Sequence, residues 1–247
     1  MFTMKTALKL SSQNINLFAL SAAVFAMAAF RAIYSGSLTN LFVYWNVFLA
    51  LAAFLFIKAF NLVNAKTGLS KTVKNLGLGL AFAGWLSLTP NAIYLVTDLG
   101  HLNGPKLVEN SRYNPYKKII TPKREVPYLY DVVMLFLLAL IGFQSSGMLT
   151  TSMFRALKNS DLKNYIKFNK KSEVLFLGLV SFATGVAIFL GRYLRWNSWD
   201  VIINPINILK DLYYYFTHPL ATPSMYLSLV LFFILTVLAH RMLKTVR

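Results

Sequence analysis

The sequence contains no cysteine among its 247 residues. Disulfides, thiolate metal sites and thiol nucleophiles are therefore excluded. Charge is also scarce, because Asp, Glu, Lys and Arg make up only 13% of the chain, against roughly 25% in a soluble domain. Acidic residues are the scarcest, with 8 against 25 basic residues and a net charge of +17. Hydrophobic residues make up 57% of the chain, a composition typical of a membrane protein.

The excess of basic residues could suggest nucleic-acid binding. The lysines and arginines fall between apolar runs, however, and form no continuous stripe with interleaved aromatic residues. That pattern argues against nucleic acid and favours the lipid bilayer, with its anionic headgroups, as the partner.

Six apolar runs are long enough to predict transmembrane helices. The expected fold class is therefore all-α, a polytopic helix bundle that forms a single integral membrane domain over residues 1–247. The predicted spans are residues 17–34, 41–60, 76–99, 126–153, 175–195 and 225–240. The polar, proline-containing stretch 101–125 is expected to be an exposed loop.

Residues 204–218 predict a different kind of helix. Their apolar side chains recur on one helical face and their polar side chains lie elsewhere. Asn204 could cap this helix, with Pro205 at its first position. We expect an interfacial amphipathic helix that lies on the membrane surface.

The first apolar run could instead be a cleaved signal peptide, because Ala26-Met27-Ala28 fits the small-x-small cleavage pattern. The run continues through Phe30 and Tyr34, which favours a retained helix.

The distribution of basic residues predicts an orientation. With six spans, 15 of the 25 lysines and arginines lie on the side that holds both termini. The positive-inside rule then predicts a protein of the plasma membrane with both termini in the cytoplasm.

Polar residues gather near the ends of several spans at the opposite, extracytoplasmic side. Counted at about 1.5 Å per helical residue, they fall within roughly 10 Å of one plane. Charged groups at such depths need partners and are candidates for function. The candidate catalytic residues are Asp98, His101 and Asp131. The candidate substrate-binding residues are Asn46, Asn91, Arg192, Arg195, Trp196, Asn197 and Asp200.

The spacing of these residues allows several chemical interpretations. Asp98 and His101 are three apart and share a face if the helix continues, so the carboxylate could orient the imidazole as a general base; the alternative is an interfacial histidine at a helix end. Arg192 and Arg195 could bind phosphate or carboxylate, or could pair with acidic residues of neighbouring helices. Asp131 and Asp200 could join Asp98 and His101 in an oxygen-rich site for a divalent metal, but the two arginines nearby oppose a cation, so no metal is expected. No cofactor is expected either.

Pro90 is expected to kink the third span, because it has no amide hydrogen to donate. Thr89 and Asn91 stand beside it and could bond the carbonyl groups that the kink frees.

Four segments also carry a family resemblance: W-N at 45–46, P-N-A-I-Y-L-V-T-D-L-G-H-L at 90–102, Y-D at 130–131 and G-R-Y-L-R-W-N-S-W-D at 191–200. They resemble a family of bacterial multi-pass membrane proteins catalogued only as a domain of unknown function. The resemblance implies the fold and the position of the site, and no particular chemistry. Loop 103–125 is longer and more basic than the resemblance implies.

Three functions remain open. The polar pocket could bind or modify an anionic lipid headgroup or a lipid-linked substrate, as an enzyme or as a binding protein. The protein could instead be an accessory or structural membrane protein whose ion cluster is a scaffold. It could also be a small-solute transporter, for which Gln144–Ser146 and Thr150–Ser152 are the polar residues that suggest a path.

Overall fold

The computed structural model describes residues 12–36, 38, 40–102, 128–196, 200–221 and 223–245. These residues form helices and connecting segments and contain no strand, so the predicted all-α class is confirmed. The α-helices are Ser12–Ser35 (α1), Phe42–Ala65 (α2), Lys71–Leu88 (α3), Pro90–Tyr94 (α4), Tyr128–Lys158 (α5), Lys170–Arg192 (α6), Asp200–Ile203 (α7), Pro205–Thr217 (α8) and Pro223–Thr245 (α9). Short 3₁₀ helices are Leu95–His101, Asp161–Asn164 and Pro219–Ala221. Beyond Leu102, the predicted loop lies outside the described residues.

Six helical segments of the described chain are long and apolar enough to cross a membrane. They are Gln13–Ser35, Phe42–Ala65, Lys71–His101, Tyr128–Lys158, Lys170–Arg192 and Pro223–Leu243. The six predicted spans fall on these segments, although several ends differ. The fifth span was predicted to reach Arg195, and its helix ends at Arg192, because the chain turns sharply after that residue.

Contacts between the spans show that successive spans alternate in direction. At one end, here named the arginine end, Arg31 of α1 contacts Asp131 of α5, and Arg192 of α6 contacts His101 of the 3₁₀ segment that follows α4. At the other, here named the lysine end, Lys74 of α3 pairs with Asp161 in the connection between α5 and α6. The hydrogen bond and the charge of Lys74 hold the pKa of the Asp161 carboxyl below its usual value.

Helix α5 lies at the centre of the bundle and packs on α1, α2, α4 and α9. Gly142 allows a close approach to α4: a Cβ at that position would lie 2.5 Å from the carbonyl oxygen of Ala92. Real atoms cannot approach so closely, so glycine is required for α5 to pack directly on the backbone of α4.

The third span is interrupted at Thr89, as the proline predicted. Pro90 starts α4, and the two polar neighbours bond carbonyl groups of the preceding turn. Thr89 Oγ1 donates to the carbonyl oxygen of Trp85 at 2.7 Å, and Asn91 Nδ2 donates to that of Leu88 at 3.0 Å. The chain then continues as seven residues of 3₁₀ helix, Leu95–His101, a long run for this geometry.

Helix α8 is amphipathic, as predicted, and buries Ile208 against the bundle. Its outer face exposes large apolar side chains, namely Ile206, Leu209, Tyr213, Tyr214 and Phe216. The expected cap is not formed, because Asn204 Oδ1 accepts a hydrogen bond from the side chain of Asn207 instead. Pro205 does stand in the first turn.

Candidate functional site

A cavity of about 320 Å³ opens at the arginine end, between α2 and α6. Both helices pack on α4, and the interrupted third span forms the wall between them. Small residues on α6, Ala187 and Gly191, leave the space. The cavity is lined by Trp45, Asn46, Leu49, Ser87, Pro90, Asn91, Tyr94, Ala187, Ile188, Leu190, Gly191, Arg195, Trp196 and Ile208. Four sequence-predicted residues, Asn46, Asn91, Arg195 and Trp196, therefore meet at one cavity.

Arg195 stands at the turn that follows α6. The backbone amide of Trp196 donates to the carbonyl oxygen of Leu190, and this bond folds the chain back over the helix end. Arg195 adopts a left-handed conformation with φ of 60°, which costs a non-glycine residue about 1–2 kcal/mol. Because glycine would fit without that cost, the arginine side chain itself is the feature that needs an explanation.

The guanidinium of Arg195 is exposed and makes no hydrogen bond or ion pair with any residue in the described part of the chain. The next residue, Trp196, does have a partner: its indole Nε1 donates a hydrogen bond to Oδ2 of Asp211 on α8 at 2.8 Å. That bond fixes the indole at the cavity wall and ties the amphipathic helix to the turn.

A second polar group, here named the Asp98 cluster, adjoins the cavity. It consists of Asn46, Asp98, His101 and Arg192. Asn46 Nδ2 donates to Oδ2 of Asp98 at 2.9 Å. The carboxylate is only 1% exposed, and its other oxygen, Oδ1, is buried without a hydrogen-bond partner among the described residues. An unsatisfied buried oxygen of this kind is costly, so the cluster retains an unused acceptor.

The 3₁₀ geometry explains how Asp98 meets His101. In this helix, side chains three residues apart are eclipsed, and His101 Nε2 lies 3.7 Å from Oδ1 of Asp98. This distance is too long for a hydrogen bond, and the contact is ionic only when the imidazole is protonated. The predicted shared face is thus present, although a 3₁₀ helix rather than an α-helix supplies it.

Arg192 completes the cluster. Its Nη1 lies 3.4 Å from His101 Nε2, and its guanidinium passes over Gly100, where a Cβ would lie 2.9 Å from Nη2. The imidazole also packs on the ring of Phe42, with centroids 4.6 Å apart. Asn46 is shared, because it both bonds Asp98 and lines the cavity.

Asp131 lies elsewhere, in contrast to the sequence-based grouping with Asp98. Its carboxylate accepts two hydrogen bonds from Arg31 of α1, from Nε at 2.6 Å and from Nη2 at 3.0 Å. The grouping rested on depth along each span, which does not fix the direction in which a side chain points. Arg31, which the sequence analysis did not select, supplies the charge that Asp131 needs.

The structure does not place two further predicted site residues, Asp200 and Asn197, at the cavity. Asp200 is the first residue of α7 and is not among the residues that line the cavity. Asn197 lies outside the described residues. In the described part of the chain, no group of three or more His, Asp and Glu side chains could hold a metal ion.

The sequence analysis also missed a polar network at the lysine end. His240 is only 4% exposed; its Nε2 lies 3.2 Å from Oε1 of Glu173 and its Nδ1 lies 3.1 Å from Oγ1 of Thr151. It joins α5, α6 and α9 at one point. Its position near the end of an apolar run gave no signal of this, because the two partners are remote in sequence.

Comparison with known proteins agrees with the fold. No curated protein and no solved structure matches the chain. The family described as "Protein of unknown function (DUF1361)" matches residues 45–239, which include the whole cavity lining and the Asp98 cluster. With its six apolar helices, the chain is a multi-pass membrane protein that belongs to the DUF1361 family.

Proposed function

We propose that this protein binds the phosphate of an anionic lipid headgroup, or of a lipid-linked anion, in the cavity at the arginine end. The observation that carries the proposal is Arg195, a cation held at the cavity in a strained backbone conformation with no protein partner in the described chain. A guanidinium offers two parallel donors that match the oxygens of a phosphate. Asn46 of α2 and Asn91 of α4 add polar groups to the lining of the same cavity.

The surroundings favour a lipid over a soluble anion. Apolar side chains form much of the wall, including Leu49, Ile188 and Leu190. Trp45, at the α2 side, is 52% exposed on a helix that can span a membrane. A headgroup could therefore reach Arg195 while its chains stay against apolar surface, and α8 lies beside it with its own apolar face exposed.

In this proposal the arginine end faces the extracytoplasmic side of the cell membrane, and both termini are cytoplasmic. The support is the asymmetry of charge, since the connections at the lysine end carry Lys66, Lys71, Lys158, Lys163 and Lys167 and basic loops stay in the cytoplasm. Single cysteines at two exposed positions test it, Leu38 at the arginine end and Tyr165 at the lysine end. In intact cells a membrane-impermeant maleimide should label only Leu38→Cys; labelling of only Tyr165→Cys would reverse the orientation.

Modification of the bound headgroup is the second candidate, and the Asp98 cluster favours it. His101 Nε2 lies between the Asp98 carboxylate and the Arg192 guanidinium, so the imidazole could move a proton while the arginine stabilises negative charge. Lipid profiles of cells that express wild type, Asp98→Asn or His101→Ala test this. A lipid species that changes in both variants, with protein levels unchanged, supports catalysis; identical profiles leave binding as the function.

The packing of α5 weighs against transport. Ser145 and Thr150, two of the polar residues that suggested a path, donate to carbonyl groups of their own helix. Gln144 donates to the carbonyl oxygen of Gln13 on α1. Residues that bond their own or an adjacent backbone pack helices together rather than line a water-filled route.

The test is the identity of lipids retained by the purified protein, measured by native mass spectrometry. Wild type should retain phosphatidylglycerol in preference to phosphatidylcholine, and Arg195→Ala should lower that preference about tenfold, the scale of a lost charged hydrogen bond. The preference of Arg195→Lys should lie between those of wild type and Arg195→Ala, because lysine keeps the charge but lacks the two parallel donors of the guanidinium. The matched control is Arg155→Ala, which removes an exposed arginine in the last turn of α5. Equal losses in both alanine variants would mean that the preference comes from general surface charge and not from the cavity.

A further inference from the structure

We propose a second anionic-lipid site, at the lysine end, in which Lys58 of α2 binds the phosphate of a phospholipid in the leaflet opposite the first site. The site is a cavity of about 410 Å³ between α2 and α5, with Asn14 of α1 at its edge. This inference does not depend on the proposed function, because it uses other residues at the other end of the bundle.

Lys58 carries a charge within a membrane-spanning helix. Helix α2 runs from Phe42 to Ala65, so Lys58 lies seven residues, or about 10 Å, before its end. A span of 24 residues exceeds the roughly 30 Å hydrocarbon layer by only a few ångströms. The lysine therefore starts inside the hydrocarbon layer, and its long stem can carry the ammonium to the level of the lipid phosphates.

The described part of the chain supplies no counter-charge for this ammonium. Lys58 makes no hydrogen bond or ion pair with any other residue in the described part of the chain. The two acidic residues described at this end are engaged elsewhere, Asp161 with Lys74 and Glu173 with His240. A charge at this depth without a partner is costly, and a ligand anion would remove that cost.

The cavity around Lys58 matches the two parts of a phospholipid. Asn61, one turn along α2, and Ser152 of α5 provide polar groups beside the ammonium. Phe54, Ile57 and Met148 provide apolar wall on the side toward the membrane centre. A phosphate on Lys58 and Asn61 therefore leaves an acyl chain directed along apolar side chains, and basic pockets between transmembrane helices bind anionic headgroups in this way.

The experiment uses the full chain with Arg195→Ala, so that lipid bound at the first site does not contribute. Native mass spectrometry compares retained phosphatidylglycerol with retained phosphatidylcholine. Lys58→Ala should lower the retention of phosphatidylglycerol about fivefold, the factor expected for one basic residue at the surface of an anionic membrane. Lys58→Arg should restore it. Lys66→Ala, which removes an exposed lysine at the end of α2 outside the cavity, should change it less than twofold.

A second variant separates the cavity from simple charge attraction. Ser152→Phe keeps Lys58 and fills the space beside it, so it should also lower phosphatidylglycerol retention. Full retention in Ser152→Phe, equal losses in Lys58→Ala and Lys66→Ala, or equal retention of the two lipids by the parent would each overturn the proposal. Thermal unfolding of each variant in lipid-free detergent verifies that it is folded.

Discussion

Asn46 on α2 donates a hydrogen bond of 2.9 Å from Nδ2 to Oδ2 of Asp98, at the far end of the third span and 52 positions away in sequence. Within the described residues no other side chain hydrogen-bonds this carboxylate, which is only 1% exposed, and its Oδ1 has no partner there. Because Asn46 also lines the cavity, this bond couples the buried carboxylate to the place where we propose that a headgroup binds.

Replacing Asn46 by alanine should lower the free energy of unfolding by about 1–3 kcal/mol, since it leaves a buried carboxylate without its hydrogen bond. Thermal unfolding of the purified protein in detergent measures the change. Asn75→Ala on the exposed face of α3 is the control, with an expected change within about 0.5 kcal/mol. Equal effects at the two positions would mean that the Asn46–Asp98 bond contributes nothing to stability.

The pair formed by Arg31 and Asp131 should contribute measurably, because its side chains are only 16% and 23% exposed. We expect Arg31→Ala to destabilise the protein by about 1–3 kcal/mol, the scale of a hydrogen bond between charged groups. The exchange Arg31→Asp with Asp131→Arg should recover part of that loss. Lys74→Ala is the comparison, because its partner Asp161 is 65% exposed and surface pairs contribute about 0–1 kcal/mol.

Gly142→Ala should separate α5 from α4, because its Cβ would lie 2.5 Å from the carbonyl oxygen of Ala92. The expected cost is about 1–3 kcal/mol, typical of overpacking. A Cβ at Gly178 on α6 would meet no atom within 4 Å, so Gly178→Ala should be neutral or slightly stabilising. A stable Gly142→Ala protein that unfolds like wild type would contradict the close packing of these two helices.

Arg195→Gly and Arg195→Ala should differ in stability but not in lipid binding. With φ at 60°, Arg195→Gly should be more stable than Arg195→Ala by about 1 kcal/mol, because glycine adopts this conformation without strain. Both variants should lower the preference for phosphatidylglycerol equally, leaving only the contribution of the lysine-end site. Unfolding in detergent and lipid retention, measured on the same samples, give the two quantities. If Arg195→Gly retained as much phosphatidylglycerol as wild type, the guanidinium would not be the binding group.

The helices and four of the residues that line the cavity could be predicted from the sequence, because each depends on local pattern. The length of the apolar runs predicted the six spans, and Pro90 predicted the break in the third span. The position of Asn46, Arg195 and Trp196 near the end of their spans brought them to one cavity. These predictions needed only the rise per helical residue and the geometry of proline.

Pairings between remote side chains could not be predicted, because depth along a helix leaves its rotation undetermined. Asp131 has the right depth to join Asp98, yet it points to Arg31 on α1. His240 is similar, since its contacts with Glu173 and Thr151 depend on how α9 packs between α5 and α6. The left-handed conformation of Arg195 is also not apparent from the sequence, because non-glycine residues rarely adopt it.

The most direct test of the central claim places a reporter in the cavity itself. Ser87 lines the cavity and is exposed, and Ser87→Cys would be the only thiol in this cysteine-free chain. The rate of its reaction with a polar maleimide should fall as phosphatidylglycerol replaces phosphatidylcholine in the nanodisc, and should not fall when Arg195→Ala is added. The thiol of Leu38→Cys, outside the cavity, serves as the control. A rate at Ser87→Cys that ignores the lipid, or that falls equally without Arg195, would contradict the proposal that this arginine holds a lipid phosphate in the cavity.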